Sequence, residues 1–208
     1  ELDLQNAIAS LPDSQSQVGR VNKYTAYALL GKVLLYQDKF AEAASALDNV
    51  IGVYSLVSDY GSQFLRFGEN GPESVFEIQY SNQSNWYDWG CAHCSEGNYA
   101  IIMNGPRGWS GPEYAQGWSF NVPTAEFYNS FEEGDTRRDA TILDIEAFAA
   151  ATGANYTEGY DHTGYFNNKY IPRAGESGGQ TELNYLTNFR IIRSVSYTHL
   201  TLPTKVTV

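Results

Sequence analysis

Over residues 22–51 large and small apolar side chains recur at intervals of three and four: Tyr27, Leu30, Gly31 and Leu34, then Phe40, Ala43, Leu47 and Val50. That period puts each set on one face of an α-helix. Asn22 is suited to cap the first helix, read as 22–37, and Asp38 with Lys39 makes a tight turn into the second, read as 40–51. Two helices joined this closely pack back on each other. Gly31 and Ala43 are small where the backbones must approach, and the large side chains fill the flanks. An earlier stripe of Leu2, Leu4, Ala7, Ile8 and Leu11, stopped at Pro12, adds a short helix in front.

The hairpin spacing resembles that of tetratricopeptide repeats, although a generic helical hairpin would meet much of it. A single repeat leaves its outer faces bare, and stable arrays usually need about three. No second copy occurs in the 208 residues, so the chain reads as part of something larger. The expected fold is mainly α: a tetratricopeptide-like hairpin scaffold with long irregular aromatic-rich loops and a short β element.

That β element is Ser74-Val-Phe-Glu-Ile-Gln-Tyr80, where Val75, Glu77 and Gln79 alternate with Phe76, Ile78 and Tyr80. Residues 81–121 show neither helical nor strand period and hold all four Trp of the chain, Trp86, Trp89, Trp109 and Trp118, among Gly and Asn. They read as long loops, and loops of that length in a folded protein are usually functional. From Pro123 the pattern is helical again, with Thr124 as N-cap and Phe127 and Phe131 at i and i+4. Residues 132–139 read as a charged turn, 141–145 as extended, 147–151 as ambiguous and 156–164 as loop. Residues 188–193 open another apolar element. The divisions are therefore 1–52, 53–122 and 123–193.

Charge excludes some partners. Lys and Arg number 13 against 24 Asp and Glu, a formal charge of -11. Such a chain repels a phosphate backbone, so nucleic acid is not an expected ligand. No run of about 18 apolar residues occurs to span a bilayer as a helix.

The aromatic loops are the candidate binding site. Sugar rings pack their C–H faces on Trp and Tyr while their hydroxyls bond planar polar groups. Trp86, Tyr87 and Trp89 lie beside Asn85 and Asp88, and Trp109, Tyr114 and Trp118 lie near Arg107. The competing reading makes these rings plugs of a core beneath the loops. Cys91-Ala-His-Cys94 is one ligand short of a structural zinc site, so a local disulfide or two idle thiols are the alternatives to a metal. No motif calls for a cofactor. Asp88, Glu96 and Glu113 could supply the two facing acids of a glycosidase, but no nucleophile elbow, HExxH or P-loop occurs. Asp135, Arg137 and Arg138 read as an ion-pair latch. No catalytic residue is assigned.

Read in order, several pieces resemble the SusD/RagB family of surface glycan-binding lipoproteins. They are Gly19-Arg20-Val21 leading to Ala28-Leu-Leu-Gly-Lys-Val-Leu-Leu-Tyr36, then Ala43-Ala44-x-x-Leu47-Asp48-x-Val50-Ile51 and Tyr54-x-Leu56. Glu73-Ser-Val-Phe-Glu-Ile78, Pro123-Thr124, Phe131-Glu132-x-x-Asp135-x-Arg137-Arg138 and Asn188-Phe-Arg-x-Ile-Arg193 follow. The resemblance implies a fragment of a larger outer-membrane protein held by an N-terminal lipid anchor outside this sequence. It also implies non-catalytic capture of oligosaccharide and its delivery to a TonB-dependent, SusC-like transporter. Two other readings stay open: a tetratricopeptide-type scaffold gripping a peptide or protein, and a surface glycoside hydrolase. After Arg193 the sequence departs from the family. Residues 194–208 have no acid and no helical stripe, and resemble translated sequencing-adapter read-through.

Overall fold

Asn22 caps as its position predicts. Its Oδ1 accepts the Thr25 backbone N–H at 2.9 Å, and the Thr25 hydroxyl accepts the Asn22 N–H in return. Helix α2, Lys23–Leu35, starts there; α1, Leu2–Ser10, precedes it and α3, Phe40–Asp48, follows. The computed structural model describes residues 1–81, 97–98, 100–159, 161–176 and 185–193. They form two units, one of Glu1–Ser58, Glu69–Gln79 and the stretch from Phe189, the other of Asp59–Gly68 and Tyr80–Asn188.

In the first unit Gly31 of α2 meets Leu47 of α3 so closely that a Cβ on the glycine would stand 2.5 Å from Leu47 Cδ2. Leu30, Leu34, Ala43 and Ala46 pack together, and Leu4 and Ile8 of α1 close over them. A second cluster, Ala28, Leu47, Val50, Val75 and Ile192, joins the hairpin to a two-stranded antiparallel ladder. Its strands are β1, Ser74–Ile78, and β6, Phe189–Arg193. The buried face of β1 carries Val75 and Glu77, while Ile78 is exposed. Glu77 faces Arg190 across the ladder, and its Oε1 accepts Arg190 Nε at 2.7 Å and the Asn70 N–H at 3.1 Å. Glu77 is thus buried beside Val75 with Arg190 as its counter-charge, while Phe76 also packs on the cluster.

The second unit is built of short elements. They are α4 (Ala100–Asn104), β2 (Arg107–Ser110), α5 (Ala125–Asn129), α6 (Arg137–Thr141), β3 (Ile142–Asp144), α7 (Ile145–Thr152), β4 (Asn155–Thr157) and β5 (Tyr165–Asn167). β2 pairs with β4 and β3 with β5, both antiparallel. Thr124 caps α5 through the Phe127 N–H at 3.2 Å. Asp144 caps α7 through the Ala147 N–H at 2.8 Å, and Gly153 ends it in the left-handed region at φ 73°. Tyr114, Leu143, Ile145, Phe166 and Ile171 form the core, with Trp109, Val122, Phe148 and Tyr156 packed on it.

Several expectations need correction. The described residues hold seven α-helices, but three two-stranded ladders accompany them where one short β element and an extended stretch at 141–145 were expected. Residues 81–121 contain α4 and β2, which at five and four residues are too short to show a period. The stretch read as a loop from 156 begins inside β4, and the charged turn gives way to α6 at Arg137. There Asp135 accepts the Arg137 backbone N–H at 2.9 Å and pairs with its guanidinium, which holds its carboxyl down at about 2.

Candidate functional site

The last carbonyls of α4 have no further turn to bond them. The backbone N–H groups of Trp118 and Phe120 supply the missing donors, to Ile102 and Met103, both at 2.8 Å. Gly117 lies against Gly105 so tightly that a Cβ there would stand 2.4 Å from the Gly105 Cα. This lashing fixes residues 117–120, with Ser119 and Asn121 held left-handed at φ 59° and 53°. Left-handed backbone costs an ordinary residue roughly 1–2 kcal/mol, and such outliers gather where a site must be held in one shape.

Beside this run lies a cavity of about 630 Å³, and Trp118, Ser119, Phe120 and Val122 all line it. Arg107, the first residue of β2, comes to the same cavity. Its Nε donates to the Trp118 carbonyl at 2.7 Å, its backbone N–H to Ser119 Oγ at 3.1 Å, and its guanidinium lies 5.8 Å from the Phe120 ring centre. Arg107 pairs with Thr157 of β4, so the ladder brings the loop after β4 to the same cavity, with Glu158, Gly159, Asp161 and His162. Gly108 makes that pairing possible: at φ 58° a Cβ would stand 2.4 Å from Thr157 Oγ1.

Phe166, only 1% exposed, lines the cavity and belongs to the core, so one side of the site is set by close packing. Behind the wall the Tyr156 hydroxyl lies 3.2 Å from His162 Nε2, and Glu146 Oε1 is 3.8 Å from the same nitrogen. Burial pushes the Tyr156 phenol up, with the Glu146, Glu158 and Asp144 carboxylates adding to the effect. The cavity therefore combines aromatic rings, a guanidinium already oriented through its Nε, two carboxylates and an imidazole. Such a surface offers flat apolar area together with hydrogen-bond donors and acceptors set in a concave wall.

A laminarin binding SusD-like protein of known structure superposes on this chain with a TM-score of 0.86 at 38% identity, over 96% of this chain and 47% of the other. The chain is a SusD-like protein. The SusD-like chain also matches surface glycan-binding protein A from Bacteroides thetaiotaomicron, solved in complex with laminarihexaose. There the TM-score is 0.87 and the identity 28%, over 99% of this chain and 49% of that one. Among curated proteins it is 27% identical over 198 residues to SusD-like protein P2 of Formosa agariphila, covering 88% of this chain and 38% of the relative. It thus spans about half the length of the solved relatives and less of the curated one. No family model matches it.

Of the residues singled out in the sequence of this SusD-like chain, Arg107 and Trp118 meet at the cavity. Trp109 and Tyr114 do not line it. Tyr114 is 5% exposed, and its ring meets Trp109 at 5.9 Å and Phe148 at 5.1 Å between centres. These two rings pack in the apolar core that includes Phe166, because β2 turns Trp109 toward α7 while Arg107 faces the cavity. Burial pushes the Tyr114 phenol up to about 12. Asn85, Trp86, Tyr87, Asp88 and Trp89, the Cys91 and Cys94 pair and the tail 194–208 lie outside the described residues.

The cavity also uses residues that were not singled out: Phe120, Val122, Glu158, Asp161, His162 and Phe166. Phe120 and Val122 follow Trp118 directly in the aromatic-rich stretch, which was the one signal for them, while the left-handed Ser119 and Asn121 rule out a single strand face. For residues 158–162 no local signal exists, since only the β2–β4 pairing brings them to the site.

Proposed function

We propose that this chain is part of a non-catalytic glycan-binding protein of the outer-membrane surface, and that the cavity beside β2 takes up the oligosaccharide. The observation that carries the reading is the joint presence of Trp118, Phe120, Phe166 and Arg107 around one cavity in a chain whose solved relatives bind laminarin or laminarihexaose. Trp118 and Phe120 would pack on sugar faces. Arg107, Glu158, Asp161 and His162 would bond the hydroxyls. Trp86, Tyr87 and Trp89, with Asn85 and Asp88, would extend the platform along the glycan. The α2–α3 hairpin would serve as a tetratricopeptide-like scaffold from which the bound glycan passes to a TonB-dependent, SusC-like transporter.

The test is isothermal titration of the full-length parent protein with laminarihexaose and a panel of other oligosaccharides, with a reducing-end assay on the same mixtures. Binding without new reducing ends is expected. New reducing ends would make the protein a hydrolase. Absence of glycan binding together with binding of peptides would move the function to the hairpin scaffold.

A further inference from the structure

The wall of the cavity formed by the loop after β4 carries two carboxylates, Glu158 and Asp161, which can only accept hydrogen bonds when ionised. What the imidazole between them and Phe166 contributes depends on which ring nitrogen holds the proton. His162 has a single side-chain hydrogen-bond neighbour among the described residues, the Tyr156 hydroxyl, 3.2 Å from Nε2. Glu146 Oε1 lies at 3.8 Å, beyond hydrogen-bond reach, on a side chain that is 68% exposed. The Tyr156 ring packs on the apolar core, and its hydroxyl has no acceptor among the described residues other than Nε2. A half-buried phenol whose one protein acceptor is a ring nitrogen can donate its proton to it.

We infer that Tyr156 donates to Nε2 of His162 and thereby fixes the imidazole as its Nδ1–H form, making His162 a hydrogen-bond donor to the glycan. The inference rests on the cavity being the glycan site. Nδ1 has no hydrogen-bond partner among the described residues, and His162 is a lining residue of the cavity. Its N–H would meet a hydroxyl or ring oxygen through a lone pair, complementing carboxylates that take hydroxyl protons. Arg107 and His162 then supply donors, and Glu158 and Asp161 acceptors, around one cavity. Tyr156 acts through His162 and is a positioning residue.

15N-histidine NMR of the parent protein reads the tautomer of each histidine, and His162→Gln identifies the signal of interest. At a pH where the ring is neutral, Nδ1 is expected as the protonated nitrogen and Nε2 as the bare one. In Tyr156→Phe the proton should move to Nε2 in a large fraction of molecules, and affinity for laminarihexaose should fall by about fivefold, the size of one neutral hydrogen bond. His162→Asn, whose side-chain amide reaches where Nδ1 stood, should bind better than His162→Gln. A proton on Nε2 in the unaltered protein overturns the inference whatever the variants do, and that reading needs no ligand. Unchanged affinity in Tyr156→Phe, with Trp118→Ala still weakened, overturns it while leaving the cavity as the site. Unchanged affinity in Trp118→Ala removes the cavity reading, and this inference falls with it.

Discussion

Arg190→Met should destabilise the first unit by about 3–5 kcal/mol, the usual cost of removing one member of a buried ion pair. The figure follows from the burial of the pair: the Glu77 side chain is 0% exposed and that of Arg190 5%, with Nε and Oε1 2.7 Å apart. Without the guanidinium, Glu77 keeps the Asn70 N–H at 3.1 Å but loses the positive charge that offsets its desolvation. At roughly 4–8 °C per kcal/mol for a unit of under 100 residues, the loss corresponds to a melting point lower by about 20 °C. Far-UV circular dichroism during urea unfolding is the suitable assay. The helices α1–α3 lie in the first unit and all four Trp in the second, so fluorescence would follow the wrong unit. Replacing both residues, as Glu77→Leu with Arg190→Met, should recover most of the loss, because an apolar pair needs no counter-charge. A cost below about 1 kcal/mol for Arg190→Met would refute the reasoning, since no buried carboxylate could then be relying on Arg190.

Three further outcomes are expected. Gly31→Ala should cost about 1–3 kcal/mol, because its Cβ would stand 2.5 Å from Leu47 Cδ2 and the hairpin must open to admit it; a fall in the same circular-dichroism midpoint checks it. Trp109→Ala should cost about 3–5 kcal/mol of stability in the second unit, followed by the remaining Trp fluorescence, whereas Trp109→Phe should cost much less, since the buried indole N–H has no hydrogen-bond partner among the described residues. The Tyr114 phenol should titrate near 12 by ultraviolet absorbance, against about 10 for an exposed tyrosine. Because its folded value is raised, its contribution is complete below about pH 10, declines as the unfolded chain ionises and is gone above about pH 12, a loss of roughly 2–3 kcal/mol.

Much of the first unit was legible because its information is local. The three- and four-residue spacing of Leu30, Leu34, Ala43 and Leu47, the Asn22 cap and the smallness of Gly31 each act within a turn or across a short hairpin. The family-like pieces around Glu73–Ile78 and Asn188–Arg193 were visible as patterns, yet their chemistry was not. Only the ladder of β1 with β6 shows that Glu77 and Arg190 are a buried pair. The site was half legible. Aromatic richness pointed to residues 81–121, but composition does not say which way a ring faces. Trp109 and Trp118 share that loop context, and a four-residue strand sends the first to the core while the 117–120 lashing holds the second at the cavity, with its other side packed on Ile101, Ile102 and Tyr185. His162, Glu158 and Asp161 reach the site through a pairing some fifty residues back along the chain, between Thr157 and Arg107, which no period encodes.

The central claim is that the cavity beside β2 is where glycan binds, and the most direct test is the affinity of Trp118→Ala for laminarihexaose in the full-length parent, beside that of Trp109→Ala under conditions where both variants stay folded. The account predicts a loss of about 1–3 kcal/mol, roughly five- to 150-fold, for Trp118→Ala, with Trp109→Ala binding nearly as the parent does. Equal affinity of Trp118→Ala and the parent, or a loss confined to Trp109→Ala, would contradict it.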